Sequence, residues 1–152
     1  MKVHRLEREQ WLRAPQERVV AFFSDAHNLD AITPPWVHFR VRTPRPIEMR
    51  VDLRLEYSLR LAGIPCYWRT RIASWDPPRG FVDVQERGPY ALWQHRHRFE
   101  VAGDGILVAD EIRYALPLAP LGELAHPIVR AALAAIFDYR FGRVREIFSS
   151  GA

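Results

Sequence analysis

The chain has 152 residues, 48% of them apolar, which suits one domain (residues 1–152) with a single core. Its formal charge of +4 comes from 21 arginines and one lysine, Lys2, so chemistry that needs a placed interior lysine is excluded. A lone Cys66 excludes disulfide frameworks and thiolate metal clusters, and no apolar run is long enough to insert stably into a membrane. The N-terminal stretch lacks the apolar core of a signal peptide, so the expected location is cytoplasmic.

Met1 to Leu12 has strand character. Pro15 suits a first helical turn and Glu17 the positive end of its dipole, and the spacing of Val19, Val20, Phe22 and Phe23 predicts an amphipathic helix over about 15–24. A second short helix over Ala26–Ile32 is stopped by Thr33-Pro34-Pro35, because tandem prolines remove donors and impose extended backbone.

From Trp36 the period becomes two. Val37, Phe39 and Val41 alternate with His38, Arg40 and Arg42; Leu53 to Leu61 follows. After a turn at Gly63, Trp68, Thr70 and Ile72 alternate with Arg69 and Arg71. Further strands over Phe81–Arg87, Leu92–Val101 and Ile106–Leu116 are separated by Gly/Pro turns, which predicts an antiparallel meander. The tail then carries one apolar stripe: Leu121, Leu124, Ala125, Ile128, Val129, Ala132, Leu133, Ile136, Phe137, Phe141, Val144 and Phe148. Pro127 marks where this long helix begins or bends. The class is therefore α+β: a curved antiparallel sheet of about seven strands wrapped around a long C-terminal helix, with two short helices after strand 1.

Taking the bulky apolar parity as inward sorts the strand residues. The inner face then holds Tyr57, Trp68, Thr70, Phe81, Asp83, Gln85, Trp93, His95, His97, Phe99, Asp110, Ile112 and Tyr114. Each buried polar group there costs ~1–3 kcal/mol unless it is paired or solvated. They form either a closed hydrogen-bond network or the lining of a cavity. Arg140 falls on the helix's apolar stripe, where it either meets Asp83 or Asp110 or snorkels over the helix–sheet seam. The other arginines fall mostly on the outward parity as a solvated shell, with no signature of nucleic-acid binding.

His95 and His97 aim the same way, as an acid–base pair or two ligands of one metal would. With Asp110 they are the candidate catalytic residues, and ligand orientation or a structural network are the other readings. No metal and no cofactor is expected. Ser24, Ser58, Ser74, Ser149 and Ser150 lie on helix ends, outer faces or the tail, without a nucleophile-elbow motif. Trp36 and Tyr90 sit in loops where they either cap the barrel end or line a cavity mouth. Cys66 reads as a small buried residue, and His27, His38 and His126 as surface residues.

The order strand, two helices, six strands, long helix resembles the START-like, Bet v 1-like superfamily (the helix-grip fold, SRPBCC), over essentially the whole chain. Within it the likeness is to bacterial polyketide cyclase/dehydrase-like or CoxG/coenzyme Q-binding-like proteins. The likeness rests on Phe22–Leu29, Ile32–Pro35, Gly63-Ile64-Pro65, Trp68–Ile72, Phe81–Gln85, Gly88-Pro89-Tyr90, Trp93–Phe99 and Ile136–Arg140. Where a glycine is expected before the third strand, this chain has Met49-Arg50-Val51-Asp52. The resemblance implies that a small hydrophobic or aromatic molecule (lipid, quinone or polyketide-like) binds between sheet and C-terminal helix. Tyr57, Trp68, Thr70, Asp83, Gln85, Trp93, His95, His97, Phe99, Asp110, Tyr114 and Arg140 are then its candidate contacts. Two alternatives stay open: a cyclase/dehydratase-type enzyme using His95 or His97 as general acid/base, and an interaction domain whose polar core is only structural. No catalytic set is shared across the superfamily, and the oligomeric state is left open.

Overall fold

The computed structural model describes residues 1–150. Strand β1 (His4–Leu12) leads into helix α1 (Gln16–Phe23). Pro15 precedes α1 in extended conformation, Glu17 sits in its first turn, and Val19 is wholly buried. Ala26–Ile32 is helical but wound as a 3-10 helix, with the Asp25 carboxylate accepting from the His27 N–H at its start.

The segment after the tandem prolines departs from the strand expected there. Pro35–Val37 forms a 3-10 turn, His38 takes a left-handed φ of 49°, and β2 is only Arg40–Val41. The turn carries Val37 into the core, where it is 3% exposed, so the apolar residue is satisfied by a route that strand alternation does not describe. A short edge strand also leaves few unpaired backbone groups to template aggregation.

The remaining strands are β3 (Arg54–Leu61), β4 (Ile64–Asp76), β5 (Gly80–Arg87), β6 (Leu92–Ala102) and β7 (Gly105–Ala115). All pairings are antiparallel in the order β1-β7-β6-β5-β4-β3-β2, so β6 lies near the middle of a seven-stranded sheet. Register shifts in the β4–β5 pairing, after Arg69 and Ile72, bend the sheet around its inner face. On the outer face Glu86 lies within ion-pair distance of Arg54, Arg69 and Arg71, and Arg5 pairs with Glu111. The arginine shell is thus laced with acids.

Helix α2 (His126–Ser150) lies in the concavity, with Leu133, Phe137, Val144 and Phe148 buried. The expected stripe fails at its start. Leu121–Ala125 is a 3-10 turn, and Leu121, Leu124 and Ile128 are 73–80% exposed. A three-residue period cannot keep the stripe aligned with the 3.6-residue period that follows. Phe141, at 40%, also faces partly outward.

Candidate functional site

Strand β6 sets the site. Its inner residues Trp93, His95, His97 and Phe99 are all buried, and its neighbours β5 and β7 bring a carboxylate to each histidine. In register, Asp83 stands opposite His95 and Asp110 opposite His97. The short hydrogen bonds run along the diagonals instead: His97 Nε2 to Asp83 at 2.7 Å and His95 Nε2 to Asp110 at 2.7 Å. Diagonal neighbours on a sheet face lie within reach of long side chains, and here they crosslink three strands. The imidazoles stack at 3.7 Å, and Phe81 stacks on the outer face of His97 at 4.0 Å.

Burial disfavours charge on His97, and its neighbour His95 adds to that, so its pKa falls below the usual histidine value despite Asp83. Burial alone would raise the Asp110 carboxyl. The hydrogen bond from His95 and the charges of His95, His97 and Arg140 outweigh it and hold that pKa at about 2. Asp110 is therefore an anion at all ordinary pH.

Between this cluster and α2 lies a cavity of about 150 Å³, partly open to solvent. Tyr57, Trp68, Thr70, Asp83, Trp93, His95, His97 and Arg140 line it, all residues that strand or helix periodicity placed inward. Burial pushes the Tyr57 phenol pKa up, so it stays neutral. The other four expected contacts lie elsewhere. Gln85 closes the turn before β6 by bonding both the N–H and the carbonyl of Tyr90. Phe99 packs with Phe23 and Phe81 in the main core. Asp110 stands behind His95, outside this cavity, and Tyr114 directs its hydroxyl to His126 at 2.9 Å.

Residues beyond the expected contacts complete the wall: Leu29, Thr33, Val37 and Phe39 from the irregular segment, Leu133, Ile136 and Phe137 from α2, and Leu59 and Leu61 from β3. Tyr90 also lines the cavity, its ring 5.7 Å from Trp68 and 4.9 Å from Trp93. Trp36 does not; it is 58% exposed and meets Tyr139 edge-on. Cys66 is half-buried on β4, not enclosed as expected.

Arg140 projects from α2 into the cavity, its guanidinium 4.8 Å over the Phe137 ring. Its Nε is buried without a hydrogen-bond partner, and among the described residues no carboxylate lies within ion-pair distance of it. Asp110 and Asp83 act on it only through space, while burial lowers its pKa.

A second polar cluster involves His126, which the sequence places on the surface. His126 instead stacks on His4 at 3.5 Å, and His4 Nε2 bonds Glu123 at 2.7 Å. The sets Asp83/His95/His97 and His4/Glu123/His126 each bring three possible metal donors within 4.8 Å of one another. In both, the two rings are stacked in nearly parallel planes, at interplanar angles of 24° and 12°, so their in-plane lone pairs run side by side and do not converge on one point.

The architecture has close counterparts among solved structures. A protein of Thermus thermophilus superposes with a TM-score of 0.71 at 17% identity, covering 98% of this chain and 100% of that one. A START superfamily protein from Mycobacterium smegmatis gives 0.71 at 12% identity, covering 98% and 99%. The chain has the START-like, Bet v 1-like helix-grip fold. A major latex-like protein of Panax ginseng shares it as well, at a TM-score of 0.68 and 11% identity over 96% and 97% of the chains. In sequence, no family model and no curated protein matches. At such identities the START-like likeness is one of fold. Among the described residues no helix is long and apolar enough to cross a membrane.

Proposed function

We propose that this START-like domain binds a small hydrophobic or aromatic molecule, of lipid, quinone or polyketide-like type, between the sheet and α2. The observation that carries this reading is the aromatic-walled cavity into which a few polar groups project. Its volume is about 150 Å³. A dry apolar cavity of roughly that size takes up one benzene ring, so one ring fits wholly inside and a larger ligand extends into the mouth.

The tryptophans supply the test. Trp68 and Trp93 line the cavity, whereas Trp11, Trp36 and Trp75 lie outside it. Titration with naphthalene-2-carboxylate and naphthalene-2-carboxamide, followed through the indole N–H resonances, should shift the first two and spare the other three. If neither compound moves Trp68 or Trp93 up to its solubility limit, the binding reading fails.

The paired histidines favour a second reading, acid–base catalysis of the cyclase/dehydratase kind. With Nε2 of His95 committed to Asp110, Nδ1 is the nitrogen left to exchange a proton with a substrate. His95→Asn separates the two. In a binder it lowers affinity for the naphthalene probes; in an enzyme it abolishes turnover while affinity persists.

A further inference from the structure

Most polar groups around the cavity have found partners. His97 holds Asp83, His95 holds Asp110, and the Trp68 indole N–H points to Thr70 Oγ1 at 3.3 Å. Among the described residues, the Tyr57 and Tyr90 hydroxyls, the Trp93 indole N–H and Arg140 have none, and of these Arg140 is the charged one. It is a permanent cation whose Nε is buried and lacks an acceptor, and whose guanidinium lies over the ring face of Phe137. Asp83 is the one carboxylate on the cavity wall, and its Oδ2 is taken by His97. Asp110 lies outside the wall.

Asp83 and Asp110 offset the Arg140 charge only through space, so its buried guanidinium still lacks a hydrogen-bond acceptor, which a ligand can supply. A planar guanidinium fork is matched by a planar pair of oxygens, and its bonds to an ionised acceptor are roughly twice as strong as those to a neutral one. We infer that the ligand of this cavity is an aromatic or otherwise apolar acid, whose carboxylate or equivalent oxyanion docks on Arg140 while its apolar body lies against Trp68 and Trp93. This rests on the proposed binding role and narrows it: a neutral quinone, sterol or hydrocarbon lacks the group that Arg140 is placed to receive.

The two naphthalene probes test this because they share shape and differ in charge. Calorimetric titration of the full chain should show the carboxylate binding at least about tenfold more tightly than the carboxamide, a preference equal to ~1.4 kcal/mol. In Arg140→Gln the two affinities should become equal within about twofold. Arg140→Lys, which keeps the charge but loses the fork, should retain an intermediate preference. Thermal unfolding of each variant establishes that it is folded, and the wild-type ratio stands as a test even if Arg140→Gln does not fold. Equal wild-type affinities would overturn the inference while leaving the binding role intact. A preference that survives in folded Arg140→Gln would also overturn it, since the anion would then be held elsewhere. Binding of neither probe would overturn the binding role itself.

Discussion

Ala62 and Gly63 form the two-residue turn between β3 and β4, with φ of +50° and +78°. Hairpin turns of this length favour positive φ because it matches the twist of the strands, but the left-handed region costs an alanine ~1–2 kcal/mol. Asparagine tolerates that region better, because its side chain hydrogen-bonds locally. Ala62→Asn is therefore expected to stabilise the protein by about 0.5–1 kcal/mol. The gain should appear as a higher denaturation midpoint with an unchanged slope; a lower midpoint would show that the turn is not strained. Asp52 presents the same situation before β3, where a glycine is expected. It holds φ of +68° while its N–H bonds the Ile72 carbonyl and its carboxylate meets Arg71. Asp52 thus takes the positive φ that a glycine would adopt without steric cost.

Between elements, the same substitution can act in opposite directions. A Cβ on Gly80 would lie 2.0 Å from the carbonyl oxygen of His97, inside the β5–β6 ladder that carries Asp83 and the histidines. Gly80→Ala must spread those strands and is expected to cost ~1–3 kcal/mol, an overpacking penalty, and to weaken probe binding. Gly142, inside α2, has open space where a methyl group would go, with nothing within 4 Å, so Gly142→Ala should gain about 0.5–1 kcal/mol from helix propensity alone. Thermal unfolding of the pair checks both signs, and a neutral Gly80→Ala would show that β5 and β6 are not held at this spacing. How far the elements can be read in advance follows from their periodicity. Strands β3 to β7 and the inward set from Tyr57 to Trp93 are legible, because alternation fixes which side chains share a face. Leu29 and Thr33 are not, since they reach the cavity from a 3-10 helix and its end, with no repeating face. Gln85 and Tyr114 show the complementary limit. Parity aims them inward correctly, yet local partners, Tyr90 and His126, claim their polar atoms.

At the scale of the whole molecule, the buried cluster makes stability depend on pH. His97 has a lowered pKa in the folded protein, so unfolding lets it take up a proton below the ordinary histidine value of 6.5. Stability is then complete above that pH and declines as pH falls toward the folded value. Asp110 acts lower on the scale: its carboxyl moves from 3.8 to about 2 on folding, so it favours the folded state above 3.8 and loses that contribution as pH falls toward 2. The latter shift corresponds to about 2 kcal/mol. Glu86 and Glu111 are also lowered, by Arg54 and Arg5, and act in the same sense, but they lie on the solvated outer face. Salt separates the two populations, because exposed pairs are screened at about 1 M and buried ones much less. The melting temperature should therefore fall in two stages below neutrality, one beginning near about pH 6.5 and one near about pH 4, and most of both should persist in about 1 M salt. A melting temperature that stays flat from about pH 7 to 5, or an acid loss that such salt abolishes, would mean that stability follows the arginine shell and not the histidine–aspartate crosslink between β5, β6 and β7.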